Sequence, residues 1–402
     1  METLSPQEQA VLDLIDPQET VDLAGRLVQI PSLTGREGPA ISQLMATWLE
    51  EAGAQVRLQE VEPGRVNVLA RLEGRGPGPR LLLNGHLDTK PVENMTIDPF
   101  AATVRAGRLY GRGACDMKAA LAAQMVALKA LARSGRPFGG EVLFGSEVGE
   151  EGGGWRFLDL LAALGGCDLA IIGEPTGLAV HLGQRGVFPI LVRTRGRATH
   201  TGTADQGVNA IEKMARVILT LYALPCFHRV DPLWGRSPIN VQEIHGGGKV
   251  TAAVPDECVA NFDIRLNPDL PPETLQAAIE ECLAGLRAVD PALQVEWTFR
   301  SQGGTAGGRP ARWLPPDHPL VQTMAAVVTA VLGTPARLGG FPGGCAAGPL
   351  LERGIPAVIC GPGDLAQAHS ADEWVAIEQV VAAARVYALA ALRLLPVRPP
   401  EH

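Results

Sequence analysis

The sequence predicts an α/β protein: a mixed, mostly parallel sheet with helices on both faces, interrupted by a separate ferredoxin-like α+β unit. Three observations lead to that class. Short continuous apolar runs recur along the chain, namely RLLLNGHLD, EVLFGSE, LAIIGE and AVICGPG, and such runs suit strands buried on both faces. Segments of helical length and period lie between them, among them MKAALAAQMVALKALARS and WRFLDLLAAL. The chain has 402 residues, 46% hydrophobic and 19% charged, enough for more than one buried core.

In chain order, PQETVDLAGRLVQI reads as a helix that stops at the Pro31–Ser32 turn, and GPAISQLMATWLEEAG as a second helix. The strands QVRLQEV and VNVLARL follow, then the apolar runs and their intervening helices. The middle changes character. From about residue 185 to 300 the order is strand FPILVRTRGRA, helix VNAIEKMARVILTLYAL, strands SPINVQEIHGG and ECVANFDIRLN, helix PPETLQAAIEECLAGLRAV and strand QVEWTFR. That β-α-β-β-α-β order is a complete ferredoxin-like unit. The sheet domain resumes near HPLVQTMAAVVTAVLG and closes with the long helix EWVAIEQVVAAARVYALAALRLL. The boundaries read 1–184 and 301–402 for the two parts of the larger domain, and 185–300 for the insertion. No internal repeat at a fixed period is present.

Composition excludes several classes of function. A formal charge of -8 argues against nucleic acid, which demands a basic face. The seven cysteines are scattered and never form C-x-x-C, a pattern of reduced cytosolic thiols rather than of disulfides or a thiolate zinc site. The N-terminus METLSPQEQAVLDLID lacks the basic and apolar regions of a signal peptide, and no apolar stretch is long enough to span a bilayer. The expectation is a cytoplasmic protein with neither nucleic acid nor membrane as partner.

The acids and histidines fall in a pattern. His86 and Asp88 end RLLLNGHLD, with the two-residue spacing that puts both on one face of a strand. Asp116 lies in YGRGACDMKAA, after a turn and before a helix. Glu150 and Glu151 follow EVLFGSE on the glycine-rich turn VGEEGG. Glu174 ends LAIIGE, and His369 follows AVICGPG. The carboxyl edge of an open α/β sheet is where ligands bind. Two imidazoles and several carboxylates without thiolates suit zinc or a similar divalent ion. Singly, each feature has an ordinary reading: His-x-Asp as a loop pair, Glu-Glu as solvated surface, Asp116 as a helix cap. Ser370 and Asp372 read as caps of the last helix. His181, His228, His245, His318 and His402 have no acidic partner at useful spacing and read as structural or surface residues. Chance does not readily bring five polar segments to one sheet edge.

The segments GHLDTKP, YGRGACDMKAA, EEGG, IIGEPT, RATHTGTADQGVNAI, PINV, DIR and AHSADEW are those by which the chain resembles the zinc exopeptidase and amidohydrolase family of acetylornithine deacetylase, succinyl-diaminopimelate desuccinylase, aminoacylase-1 and carboxypeptidase G. The resemblance covers essentially the whole chain. It implies two zinc ions, with cobalt or manganese as substitutes: His86 and Glu174 on one, Glu151 and His369 on the other, and Asp116 bridging them. It implies that Asp88 orients the histidine ring and that Glu150 is the general base. The larger domain is then catalytic and the insertion a lid and dimerisation domain. His200 would stabilise the oxyanion in the partner's site of a homodimer, Asn240 and Arg265 would grip a substrate carboxylate, and Gly344 would line the substrate pocket.

Two departures bear on substrate choice. Where the family often has Thr or Ser followed by Asp and Arg, this chain reads FPGGCAAGPL, so Cys345 replaces the hydroxyl and Ala346, Ala347 and Gly348 carry no charge. Ala204 stands where many members have proline. The implied activity is hydrolysis of the amide bond of N-acyl amino acids, with a dipeptidase or carboxypeptidase of the same family as the alternative; the partner is a small N-acyl amino acid or short peptide. A cysteine hydrolase using Cys115 or Cys345 would leave five metal-type ligands unexplained. A non-catalytic binding protein on this fold is opposed by the intact Glu150.

Overall fold

The structure is a computed structural model that describes residues 4–152, 155–247, 250–300 and 307–397; His402 lies outside them. The chain divides into two compact units, Met1–Gly183 with Trp313–His402, and Gln184–Arg312.

The larger unit is built on a mixed sheet. Its principal strands are β1 (Gln55–Glu62), β2 (Arg65–Glu73), β3 (Arg80–His86), β4 (Glu141–Glu147), β5 (Leu169–Ile172), β6 (Val180–Gln184) and β7 (Ala357–Ile359). They lie side by side in the order β1-β2-β4-β3-β5-β7-β6. The centre is parallel, β3 pairing with β4 and β5, and β7 with β5. The flanks, β1 on β2, β2 on β4 and β7 on β6, are antiparallel. The central strands are buried almost throughout, as their unbroken apolar runs require.

Ten α-helices occur among the described residues. On one face, Ala119–Arg133 (α4) packs between Pro17–Val28 (α2) and Ile377–Leu394 (α10). It is apolar nearly all round and buried nearly all round, the expected partner for two layers at once. On the other face, Phe157–Leu164 (α5) and Ala347–Glu352 (α9) close a core of Leu82, Leu143, Ile172, Phe341 and Ile359.

Several elements differ from the sequence reading. The first helix expected from the sequence, which forms over Pro17–Val28, has a short predecessor, Pro6–Leu12 (α1), started by a capping box in which Ser5 and Glu8 satisfy each other's backbone N–H groups; S-x-x-E is its visible signature. The helix expected from Met117 begins at Ala119, because Ala114–Lys118 forms a separate π-helical turn in which Asp116 and Met117 have non-helical dihedrals. Asp116 therefore caps no helix. The final helix begins at Ile377, after the short strand Trp374–Ala376. Ser370 and Asp372 are too far upstream to cap it, and the Ser370 hydroxyl instead donates to the Gln367 carbonyl.

The smaller unit is an antiparallel sheet of Ile239–Gly246, Glu257–Leu266, Ile190–Arg195 and Gln294–Phe299, in that order, the ferredoxin-like arrangement. Residues of Glu257–Leu266 alternate between half-buried and buried. Their inner face meets Ala210–Tyr222 (α6) and Pro272–Val289 (α7) around Phe262, Met214 and Leu275.

Gly361 shows how tightly the carboxyl edge is built. A Cβ there would lie 2.0 Å from the Gly173 carbonyl oxygen and 2.6 Å from that of Glu174. Both are backbone atoms with no rotamer to yield. Gly361→Ala should cost about 1–3 kcal/mol, read by denaturant unfolding; an unchanged midpoint would show that the edge can give.

Candidate metal centre

His86 is the last residue of β3, and Glu150, Glu151 and Glu174 lie just beyond the ends of β4 and β5. Asp116 comes from the π-helical turn ahead of α4, and His369 from the long connection after β7. The structure brings all of them together. Asp116 turns one carboxylate oxygen to each imidazole: Oδ1 is 3.1 Å from His86 Nε2 and Oδ2 is 3.3 Å from His369 Nε2. Glu151 Oε1 is 2.9 Å from His369 Nε2, and Glu174 Oε1 is 4.0 Å from His86 Nε2. One donor atom each from His86, Asp116 and Glu151 fit within 4.8 Å of one another.

Asp88 meets the His86 ring through its backbone rather than its side chain. The His86 Nδ1–H donates to the Asp88 backbone carbonyl at 2.8 Å, while the Asp88 carboxylate is 3.6 Å away. That bond orients the ring and turns Nε2 toward the cluster. The carboxylate accepts instead from the backbone N–H groups of Glu150 (3.1 Å) and Glu151 (3.0 Å) and from the Thr34 hydroxyl (2.8 Å). Its work is to hold the turn that carries both glutamates.

Residues not singled out in the sequence complete the frame. Buried Arg112 forms an ion pair of 2.6 Å with buried Glu373, whose other oxygen accepts from the N–H groups of Cys115 (2.9 Å) and Asp116 (3.1 Å). Arg112 also donates to the Pro91 carbonyl (3.2 Å) and to Asn94 (3.1 Å), and Asn94 donates to the His369 carbonyl (3.3 Å). That last bond helps hold His369 at φ 62°, a left-handed conformation that costs a non-glycine residue energy. Lys90 pairs with Glu151 at 2.9 Å. The clues were present: Arg112 sits in the glycine-rich turn beside Asp116, and Glu373 lies four residues after His369.

The electrostatics are those of crowded acid. Burial pushes the Glu150 carboxyl up to about 8, with the charges of Glu151, Asp116 and Asp88 adding to it and His86 opposing. Burial and Asp116 likewise push Glu174 well above the usual range. Burial would lower His86, but its hydrogen bond to Asp116 and the nearby carboxylates raise it well above its ordinary value. Asp116 and Glu151 raise His369 to about 9. Buried acids in such excess call for cations, and imidazole nitrogens with carboxylate oxygens are the donors a divalent zinc-like ion accepts.

The cysteines stand apart from this chemistry. Burial, with the charge of Asp116 on Cys115 and of Glu174 on Cys345, pushes both thiols well above their ordinary values. Neither is an activated thiolate. Gly344 is exposed, in the loop ahead of α9. In the smaller unit, His200 is exposed and its Nδ1 accepts from the Gly202 N–H at 3.0 Å. Asn240 lies exposed on Ile239–Gly246, opposite Asp263. Arg265 is held by Asp263 through two parallel bonds of 2.8 and 3.0 Å. Burial, then Arg337, lowers His181 to about 4, and His318 caps α8 (Pro319–Leu332), which are structural roles.

A sheet with imidazoles and carboxylates converging at its carboxyl edge is the architecture of a metal-dependent hydrolase. The chain belongs to peptidase family M20/M25/M40, whose sequence profile matches residues 82–393. It is 31% identical over 376 residues to the acetylornithine deacetylase of Proteus mirabilis, covering 88% of this chain and 91% of that one. It is 30% identical over 392 residues to the N-formyl-4-amino-5-aminomethyl-2-methylpyrimidine deformylase of Bacillus subtilis, covering 90% and 92%. Among solved structures, a Staphylococcus aureus tripeptidase superposes with a TM-score of 0.76 at 24% identity, covering 94% of this chain and 99% of that one. The Bacillus subtilis YXEP protein, a dinuclear metal-binding peptidase, does so with a TM-score of 0.68 at 17% identity, covering 94% and 98%. The protein is thus a hydrolase of this family, and no helix among the described residues is long and apolar enough to cross a membrane.

The Arg112–Glu373 pair yields a direct prediction. Arg112→Met leaves a buried carboxylate without its counter-charge and should destabilise the fold by about 3–5 kcal/mol. The double variant Arg112→Met/Glu373→Met should recover part of that loss in denaturant unfolding. Equal stability of Arg112→Met and wild type would show that the pair is dispensable.

Proposed function

We propose that the protein is a two-zinc amidohydrolase that removes the acyl group from N-acyl amino acids. The observation that carries this reading is Asp116, with one oxygen facing each imidazole, beside the adjacent glutamates. By this reading His86 and Glu174 hold one ion, Glu151 and His369 the other, and Asp116 both, with cobalt or manganese able to substitute. Bound there, the ions supply Lewis acidity to the amide carbonyl and lower the pKa of water. The similarity to a deacetylase and a deformylase supports a short acyl group on nitrogen.

The chain's own residues do the rest. Glu150, on a turn fixed by Asp88, takes the proton of the attacking water and returns it to the leaving amine. Arg265, aligned by Asp263, presents a planar fork to the substrate carboxylate, with Asn240 beside it in function. Gly344 belongs to the pocket loop. His200, contributed by a second copy of the chain, donates to the developing oxyanion. The working form is then a homodimer whose smaller unit serves as lid and dimerisation domain, and seven cysteines with no disulfide among the described residues support a reducing, cytoplasmic setting.

Two measurements test the reading on purified protein, with bound metal quantified in each sample and turnover followed on a panel of N-acyl amino acids. Glu150→Gln should keep both ions and lose roughly 100- to 10,000-fold in turnover, whereas Glu151→Gln should lose metal. Near-normal turnover by a fully loaded Glu150→Gln would remove Glu150 as the base.

The shared site has its own test. His200→Ala and Glu150→Gln should each be nearly inactive alone. Mixed in equal amounts and allowed to exchange subunits, they should regain about a quarter of wild-type activity, since half the dimers are hybrids with one intact site in two. Hybrids that form and stay inactive would show that His200 does not act across the dimer.

A further inference from the structure

Every polar group of Glu151 is engaged, and Lys90 takes two of them. The Glu151 N–H donates to Asp88 at 3.0 Å. Its Oε1 faces His369 Nε2 at 2.9 Å. Its other carboxylate oxygen, Oε2, pairs with Lys90 Nζ at 2.9 Å, and the same ammonium donates to the Glu151 backbone carbonyl. Lys90 and Asp88 stand two residues apart on one loop, so a single segment grips Glu151 from both ends. The Lys90 side chain is one-third exposed (33%) while that of Glu151 is buried (5%). An ammonium held by two acceptors of one residue is a positional restraint as well as a charge.

From this geometry we infer that Lys90 is a positioning residue that restricts Glu151 to one-oxygen ligation and deliberately weakens one of the two metal positions. The inference rests on the two-metal reading above. With Oε2 committed to the ammonium, Oε1 is the oxygen left for an ion beside His369. That ion must also share the carboxylate with a neighbouring positive charge, and repulsion between like charges at such range is only partly screened. No lysine or arginine is recorded pairing with Glu174 among the described residues. The His86–Glu174 position therefore lacks this handicap, and the two positions differ in affinity although their donor types are the same. One-oxygen ligation also keeps a coordination place open, the condition for a catalytic rather than a structural ion.

The test is a metal titration of the whole protein, stripped by chelator and refilled with Zn2+ by calorimetry and with Co2+ by its visible spectrum. Wild type should show two unequal sites. Lys90→Met should strengthen the weaker site by about tenfold, the order expected for removing one partly screened charge, leave the tighter site unchanged, and lower the cobalt absorption as a second oxygen joins the shell. Turnover should fall, so affinity and activity move in opposite directions, which loss of fold cannot produce. Lys90→Arg keeps the charge and should resemble wild type in both titrations. A wild type that takes two ions, with Lys90→Met equal or weaker at both sites, overturns the role of Lys90 alone. A wild type that takes one ion or none overturns the two-metal reading and this inference together.

Discussion

The ion pair between Arg112 and Glu373 is the contact on which the centre depends. Ligands reach the cluster from loops far apart in sequence, and the guanidinium and its carboxylate touch three of them. Arg112 binds the loop that follows His86 through Pro91 and Asn94. Glu373 binds the turn of Asp116 by two backbone N–H groups and belongs to the segment that carries His369. Burial makes the arrangement unforgiving, because a charge left alone there is far more costly than one in water. Polar groups thus tie the loops of the cluster to one another, above the apolar layers of the sheet and helices.

Excess acid at the cluster is the second constraint. Asp88, Asp116, Glu151 and Glu174 are buried within one small volume, and only part of their charge is answered by side chains. Asp88 manages this by accepting three hydrogen bonds, Asp116 by facing two imidazoles, and Glu151 by its lysine. Glu150 and Glu174 are eased chiefly by the charge of His86, and burial with the neighbouring carboxylates makes both hold their protons strongly. A binding site for divalent cations is what such a distribution amounts to, and the family to which the chain belongs agrees with it.

Much of this was legible in the sequence, for reasons that differ by residue. The central strands declared themselves because burial on both faces demands unbroken apolar runs, and His86, Glu150, Glu151 and Glu174 could be placed because they end those runs. The Asp116 turn was harder. Its residues make a π-helical turn before α4, and no local pattern separates that from the start of the helix. Asp88 was found as the partner of the histidine ring, but that its backbone carbonyl makes the bond, leaving the carboxylate for the glutamate turn, depends on a backbone rotation that composition does not record. Arg112 and Glu373 are 261 residues apart; each alone looks like an ordinary charge beside a glycine or a turn, and only the fold makes them partners.

The position of the smaller unit in the chain has a consequence for biosynthesis. The ribosome delivers His86, Asp116, Glu151 and Glu174 before residue 184, then a unit of Gln184–Arg312 able to fold about its own core, and only afterwards His369. Strand β7, which fills the place between β5 and β6, also arrives last. Domains tend to fold as they emerge, and until β7 is made the place between β5 and β6 has no strand to fill it. The cluster draws His86, Asp116, Glu151 and Glu174 from before the smaller unit and His369 from after it, so its side chains can converge only once the chain beyond that unit has been made.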